Sequence, residues 1–278
     1  MGGSVVTVGP GQMESNLTDA LAAVGNEGTI VVYEGSYDET LIVNANATVA
    51  FLINADDDVV WEGAGAPQLR VTDGAVVLMD GLELRGNDSL SDPAVRVDVA
   101  SLWVDRSVFA QNFGGSLTAE FNANVVLRNS FLGGVNNRPS VNVETGAMVS
   151  AQYVTVGGGA LTATAVTCDA MSSMSVSDSI LVSQSMTDID CGNFTANNTA
   201  TNTMQIGDNN QELGATNPAW FDSYDAADFH LSDMGQATIM EIAQWNEGDP
   251  LDDPFVDIDG MLRAGVEGAM EYPGADLP

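Results

Sequence analysis

The chain has 278 residues, of which 45% are hydrophobic, and this composition excludes a disordered polypeptide. It carries 39 acidic residues against seven arginines and no lysine, so its net charge at pH 7 is -32. A charge of this size repels nucleic acids and anionic membranes, and no run of about 18 apolar residues is present, so we expect neither a nucleic-acid partner nor a transmembrane segment.

An amphipathic helix is predicted near the N-terminus. The first four residues lack the basic and apolar regions of a secretion signal, so we expect any such signal to precede them. Ser15–Val24 then has Ser15 as a candidate N-cap, an apolar stripe that starts at Leu17, and Gly25 just beyond its end. We expect this helix to cover the first coil of a repeat structure, because solenoids need capped ends.

Five segments repeat one pattern, in which an apolar run is followed by a polar pair and a second short apolar run. Successive segments begin 25, 23, 24 and 26 residues apart. A period near 24 lacks the spacing of helical repeats and suits a coil of three short strands, stacked on the next coil at about 4.8 Å. The repeat therefore predicts an all-β solenoid, the parallel β-helix, over residues 29–202. The five segments are Ala75–Gly86, Ala100–Gln111, Ala123–Gly134, Ala147–Gly158 and Ser173–Gln184.

Equivalent positions of these segments form columns of apolar residues. Positions two apart on a strand share a face, so the first two columns are expected to point into one core. The fifth segment fits them only after a slip of one residue, which places Met174 and Val176 inward. The columns are Val77, Leu102, Val125 and Val149; Met79, Val104, Leu127 and Ala151; and Leu84, Phe109, Leu132, Val156 and Val182.

The two cysteines are separated by one period of the repeat. Cys168 and Cys191 are 23 residues apart, and equivalent positions on neighbouring coils lie about 5 Å apart, within the Cα range of a disulfide. We expect them on adjacent coils, either bridged or side by side as thiols, and a bridge is favoured if the protein is exported. Two free buried cysteines are the alternative.

The repeat ends near Asn202, and aromatic and acidic residues become frequent after it. We interpret residues 203–278 as a C-terminal cap of loops with one short helix near Ala237–Trp245. The predicted organisation is therefore an N-terminal strand and helix (1–28), the coils (29–202) and this cap (203–278).

Both ends of the chain resemble known β-helix proteins. The stretch Val5–Val43, with a turn at Gly35, Tyr37 and Glu39, is similar to the N-terminal region of pectate-lyase-like proteins. The tail resembles that of bacterial right-handed β-helix repeat proteins, including surface-anchored ones of the choice-of-anchor type. The resemblance implies a right-handed β-helix and a secreted or cell-surface protein, but one fold hosts many functions. The matching tail residues are Asn217, Pro218, Phe221, Asp228, Phe229, His230, Leu231, Asp257, Asp259, Gly260 and Arg263.

The resemblance implies a superfamily of polysaccharide lyases, esterases and hydrolases, whose catalytic motifs are missing from this sequence. The Gly-Phe-x-Ala and Asp-Phe-x-Phe-Gly motifs of the esterases do not occur, and the single histidine, His230, lies in the tail. We therefore predict a non-catalytic protein that binds extracellular glycans or surface proteins, or serves as a rod. Trp103 would support glycan binding if it faces outward, although a packed side chain is the preferred interpretation.

One polar column is the candidate for catalysis. Asp80, Asp105 and Arg128 occupy the same turn position on successive coils, followed by Gln152 and Asp178. A carboxylate about 5 Å from an arginine supplies the base and the cation that a Ca²⁺-dependent polysaccharide lyase or esterase requires. The preferred alternative is a solvated ladder in which Arg128 offsets the neighbouring carboxylates.

The acidic run Asp249–Asp259 is the candidate metal site. Asp253, Asp257 and Asp259 offer the carboxylate oxygens that Ca²⁺ prefers, and the sequence Asp-x-Asp-Gly at 257–260 matches part of a calcium loop. The glutamate that would complete an EF-hand is missing, so that motif is excluded. We predict Ca²⁺ as the only cofactor.

Overall fold

Three long parallel sheets form the body of the protein. The structure is a computed structural model and describes residues 3–54, 57–63, 65–134, 136–159, 163–185, 187–247 and 253–278. With strands numbered in chain order, sheet A consists, in spatial order, of β1 (Ser4–Val8), β2 (Glu27–Val32), β5 (Thr48–Ile53), β8 (Val76–Asp80), β11 (Ser101–Asp105), β14 (Asn124–Arg128), β17 (Met148–Gln152), β20 (Ser173–Ser177) and β23 (Phe194–Asn197).

The other two sheets complete each coil. Sheet B consists of β3 (Gly35–Tyr37), β6 (Val59–Glu62), β9 (Glu83–Arg85), β12 (Val108–Ala110), β15 (Phe131–Gly133), β18 (Thr155–Gly158), β21 (Ile180–Ser183), β24 (Ala200–Thr201) and β25 (Gln211–Glu212). Sheet C consists of β4 (Leu41–Val43), β7 (Leu69–Thr72), β10 (Val95–Asp98), β13 (Leu117–Glu120), β16 (Val141–Val143), β19 (Val166–Cys168) and β22 (Ile189–Asp190). Seven successive coils, from β2 to β22, each add one strand to each sheet, so the predicted right-handed parallel β-helix is confirmed.

The predicted columns lie directly over one another. Leu102 is paired with Val77 on one side and with Val125 on the other, and Met174 is paired with Val149 as the one-residue slip requires. These side chains are buried in one continuous core that the inward faces of all three sheets share. Each fully buried Val or Leu side chain stabilises the fold by about 1.5–3 kcal/mol.

The slip of the fifth coil extends further than expected. Val156 is paired with Leu181, so the prediction of Val182 in the third column is wrong. Gln152 is likewise paired with Ser177, so Asp178 does not belong to the column of Asp80 and Asp105.

Asp178 instead occupies a turn position with a left-handed backbone, which recurs between sheets A and B on successive coils. This conformation turns the chain sharply after the last six strands of sheet A and, except at Gly81, places a polar or aromatic side chain at the corner. The residues at this position, with their φ angles, are Gly81 (82°), Arg106 (43°), Asn129 (43°), Tyr153 (50°), Asp178 (52°) and Asn198 (50°).

Helix α1 (Leu17–Val24) follows the first strand of sheet A. Its N-cap is Asn16 rather than the predicted Ser15, because the Asn16 side chain accepts a hydrogen bond from the Asp19 N–H at 2.8 Å. Glu39 satisfies a further free donor at this end, since its carboxylate accepts the Leu17 N–H at 2.8 Å. The buried side chains of α1, which join the core near β1 and β2, are Leu17, Ala20 and Val24.

A disulfide joins two neighbouring coils of sheet C. Cys168, at the end of β19, is bonded to Cys191, which directly follows β22, and their Cα atoms are 4.5 Å apart. The bond lies at the edge of the main core, against which both cysteines pack.

The tail after sheet B forms a second core on the outer face of that sheet. It contains the antiparallel pairs β26 (Phe221–Ser223) with β27 (Asp228–Leu231) and β28 (Ala243–Gln244) with β29 (Met270–Glu271). Short 3-10 turns cover Pro218–Trp220 and Tyr224–Ala226, and helix α2 covers Asp233–Thr238. The prediction of a helix near Ala237–Trp245 is therefore wrong in its position. None of the helices in the described ranges has the length and apolarity needed to cross a membrane.

Candidate functional site

A groove with a volume of about 580 Å³ lies on the outer face of sheet A, and we call it the sheet A groove. Its floor consists of outward side chains that follow one another at the same position of successive strands. Asn246 and Asp253 of the tail also line it. The floor residues are Trp103, Val126, Ser150, Ser175 and Thr195.

Trp103 faces outward at one end of this floor. It is half-buried, whereas Trp61, Trp220 and Trp245 are buried, so the preferred interpretation of a packed Trp103 is wrong. The guanidinium carbon of Arg128 lies 5.8 Å from the centre of the Trp103 ring, within the range of a cation–π contact. The guanidinium group of Arg128 thus helps to fix the ring of Trp103 at the edge of the open groove.

The three residues predicted for catalysis lie together at the turns beside the groove. Asp80 and Asp105 are paired on neighbouring strands, and Nε of Arg128 lies 3.6 Å from Oδ2 of Asp105. Asp80 is held by Arg106, which donates two hydrogen bonds to it at 2.8 and 2.5 Å. Burial raises the pKa of Asp105, the charge of Arg128 lowers it and the charge of Asp80 raises it, so that the net pKa lies above the ordinary value.

Arg128 is the member of this ladder that lines the groove. Its side chain is only 16% exposed, and its Nε is buried without a hydrogen-bond partner among the described residues. The distance of 3.6 Å to Asp105 is too long for a hydrogen bond. A buried donor that lacks a partner costs about 1–3 kcal/mol, so Nε of Arg128 is held beside Asp105 at a cost in stability.

Asp253 connects the tail to the groove. Its carboxylate accepts hydrogen bonds from the Gln152 side chain, from the Asn246 N–H at 2.7 Å and from the Tyr153 hydroxyl at 3.4 Å. Burial raises the pKa of Asp253, although the hydrogen bonds from Asn246 and Tyr153 lower it. Because Gln152 is 101 residues away in sequence, nothing in the repeat indicates this contact.

Asp178 is the second buried carboxylate of the groove. One of its oxygens accepts hydrogen bonds from the Asn198 side chain at 3.0 Å and from the Gln244 N–H at 2.9 Å. Burial raises the pKa of Asp178 to about 6 even though both hydrogen bonds lower it, and the negative charge of Asp253 raises it further. The pKa of this carboxyl group is therefore raised well above that of an ordinary aspartate.

The three aspartates predicted to bind Ca²⁺ have different roles in the structure. Asp257 is buried, and its oxygens accept the N–H groups of Asp259, Met261 and Leu277 at 2.7–3.1 Å. Asp259 is exposed and lies 2.8 Å from Nε2 of His230.

These contacts separate the three carboxylates. In the part of the chain that the structure describes, no group of side chains able to share one ion contains Asp253, Asp257 and Asp259 together. Asp249 and Asp252, from the same acidic run, lie outside the described residues. The use of Ca²⁺ stays a prediction.

Comparisons with known proteins assign no family to this chain. No protein-family model matches the sequence, and no curated protein matches it. Two solved structures of the pectin methylesterase from Aspergillus niger, in deglycosylated and penultimately deglycosylated form, are similar, at 11% and 13% identity with TM-scores of 0.38 and 0.32. Each alignment covers 76% of this chain and 86% of the other.

Proposed function

We propose that this protein binds a neutral extracellular polysaccharide in the sheet A groove and does not catalyse a reaction on it. The observation that carries the proposal is Trp103, a half-buried aromatic ring at the end of a groove lined by both apolar and polar groups. Aromatic faces pack against the apolar faces of sugar rings, while a few polar groups fix the orientation of a ligand.

The shape of the groove supports an elongated ligand. Its floor crosses five consecutive strands of sheet A, which corresponds to a length of about 19 Å at 4.8 Å per strand. Beyond Trp103 the floor carries the hydroxyl groups of Ser150, Ser175 and Thr195, and amide groups such as that of Asn198 lie beside them. These groups offer donors and acceptors for sugar hydroxyls.

The net charge supports a neutral ligand, and the disulfide supports an extracellular location. A net charge of -32 repels a polyanionic glycan at long range, whereas a neutral polysaccharide is unaffected. The disulfide between Cys168 and Cys191 is typical of oxidising compartments, so we infer that the protein acts outside the cell or on its surface.

The test is binding to a panel of neutral and acidic polysaccharides, measured by calorimetry and affinity electrophoresis. We expect binding to at least one neutral polymer, with a change in tryptophan fluorescence. Trp103→Ala should weaken this binding at least tenfold, about 1.4 kcal/mol, because the stacking platform is lost. Ile42→Ala is the matched control, since Ile42 is 54% exposed on a different sheet. No binding across the panel would contradict the proposal and favour a rod that spaces other proteins.

A second candidate is a Ca²⁺-dependent enzyme that acts on a uronate polysaccharide. It is supported by Arg128 beside Asp105, a carboxyl whose pKa is raised. A base with a raised pKa and a nearby cation are what proton abstraction or ester hydrolysis requires. New unsaturated or reducing ends, formed with Ca²⁺ and lost in folded Arg128→Ala, would favour this candidate over simple binding.

A further inference from the structure

We propose that His230, Asp259 and Asp276 form a binding site for a first-row transition-metal ion, with Zn²⁺ as the reference ion. This site is separate from the sheet A groove, and it shares only Asp259 with the aspartates that the sequence suggests for Ca²⁺. Among the described residues it is the group of three metal-binding side chains whose ligand atoms all lie within 4.8 Å of one another. N and O ligands around a tetrahedral Zn²⁺ ion are about 3.3–3.6 Å apart, so a movement of about 1 Å by the side chains closes the site.

The histidine is oriented for metal binding by a second carboxylate. Nδ1 of His230 lies 2.5 Å from Oδ1 of Asp228, which is placed to accept the Nδ1 proton. This hydrogen bond leaves the lone pair of Nε2 for an ion, the arrangement that carboxylates create behind the histidine ligands of metals. Nε2 already faces Oδ2 of Asp259 at 2.8 Å, where a metal ion would replace the shared proton.

Asp276 supplies the buried side of the site. It is only 5% exposed, and Oδ2 accepts the Leu231 N–H at 3.0 Å. Its Oδ1 accepts no hydrogen bond from the described part of the chain. This oxygen is accessible rather than fully buried, so an ion can reach it.

A cavity of about 330 Å³ lies beside this group and offers room for water ligands. His230, Asp228 and Asp259 line it, together with three further acidic residues, Asp57, Asp58 and Glu83. The cation that also lines it, Arg106, is bound to Asp80. The negative charge around the cavity attracts cations to its mouth.

The ligand set favours a transition metal over Ca²⁺. Imidazole nitrogen suits Zn²⁺, Cu²⁺ and Ni²⁺, whereas Ca²⁺ takes oxygen ligands in larger number. The three ligands come from β27, from the loop after Asp257 and from the last residues of the chain, so an ion would join three parts of the tail. We expect it to stabilise the tail against unfolding.

The experiment uses the full chain, freed of metal by a chelator and titrated with ZnCl2 by calorimetry in 150 mM NaCl. We expect one site per chain, and His230→Gln should weaken it at least tenfold. Asp259→Asn should also weaken it and affects an exposed side chain, so it remains informative if the His230 variant folds poorly. Asp222→Asn removes an exposed carboxylate of the same tail and should leave binding unchanged.

A spectroscopic measurement identifies the ligand directly, because His230 is the only histidine of the chain. Cu²⁺ bound at the site should show the electron-spin-resonance coupling of one imidazole nitrogen, and this signal should vanish in His230→Gln. Zn²⁺ binding that is the same in wild type and His230→Gln would overturn the proposal, as would a clear preference for Ca²⁺ over Zn²⁺.

Discussion

The ring of Phe229, in β27, lies against Gly157, in β18, so closely that a Cβ atom at Gly157 would be 2.4 Å from the ring carbon Cζ. Cβ atoms in proteins do not approach other atoms below 3.0 Å. Phe229 is fully buried and has edge-on contacts with Phe131 and Phe221, at 5.8 and 5.3 Å between ring centres. The absence of a side chain at Gly157 therefore allows the tail to dock on the outer face of sheet B.

Gly157→Ala is expected to destabilise the protein. The added methyl group forces Phe229 or the strand to move, and overpacking of this kind costs about 1–3 kcal/mol. Urea unfolding measures the loss. Gly192→Ala is the matched control, because Gly192 has open space around its Cβ position and no left-handed backbone. Phe229→Leu should reduce the cost of Gly157→Ala, and an equal cost in both backgrounds would show that this contact is not responsible.

Removal of the disulfide is expected to destabilise the coils that it joins. Cys168 and Cys191 close a loop of 23 residues, and bonds across loops of this size contribute about 3 kcal/mol by restricting the unfolded chain. Unfolding with and without a reducing agent measures the effect. The double variant Cys168→Ala with Cys191→Ala should unfold like the reduced protein and should not respond to reductant. A stability that is the same in all these states would contradict the prediction.

The coils could be predicted from the sequence because each register position recurs every 23–26 residues. Val125 and Val149 are paired on neighbouring strands because they occupy the same position of two successive repeats. Cys168 and Cys191 lie on adjacent coils because they are separated by one repeat. The errors at Asp178 and Val182 arise where one turn changes length by a residue, and a slip of one residue changes the face of every side chain that follows.

The contacts of the tail could not be predicted because the tail has no repeat. Asp253 meets Gln152 across 101 residues, and His230 meets Asp259 through a loop that carries no periodic signal. The sequence could supply Arg128 and Asp105 as neighbours, since both belong to the repeat. Whether Trp103 lies near them depends on which face of its strand points outward. Side chains alternate along a strand, so the buried columns also identify the outward positions.

The stability of the protein should depend on the titration of Asp178. Burial raises the pKa of Asp178 to about 6 in the folded protein, whereas the pKa of an aspartate in an unfolded chain is about 3.9. The folded state therefore holds this proton more tightly, so the contribution of Asp178 to stability is present below about pH 4 and is lost as the pH rises through about 6.

Asp178→Asn removes the titrating carboxyl group. It keeps a side-chain oxygen that can accept the hydrogen bonds from Asn198 and Gln244. Relative to wild type, the free energy of unfolding of Asp178→Asn should rise between pH 4 and pH 7, by an amount on the order of 1–3 kcal/mol. Urea unfolding at a series of pH values measures the difference. Asp222→Asn, which changes an exposed aspartate, is the control. If the difference in unfolding free energy between Asp178→Asn and wild type did not change with pH, or fell as the pH rose, Asp178 would not be the group whose pKa is raised.

Arg263 is expected to be the most sensitive charged residue of the tail. Its side chain is fully buried, donates to Glu271 at 3.4 Å and to Asn129 at 3.1 Å, and lies over the ring of Tyr153 at 4.1 Å. Arg263→Met leaves the Glu271 carboxylate buried without its cation, which costs about 3–5 kcal/mol.

The matched control for this prediction is Arg70→Met. Arg70 is 46% exposed and forms an ion pair with Asp98 at 3.2 Å, and exposed pairs contribute only about 0–1 kcal/mol. Chemical unfolding of both variants should give a difference of about 3 kcal/mol between them. The double variant Arg263→Met with Glu271→Leu should recover part of the loss, because the carboxylate that Arg263 neutralises is then removed as well. If Arg263→Met were no more damaging than Arg70→Met, the buried ion pair of Arg263 with Glu271 would not be important for attachment of the tail.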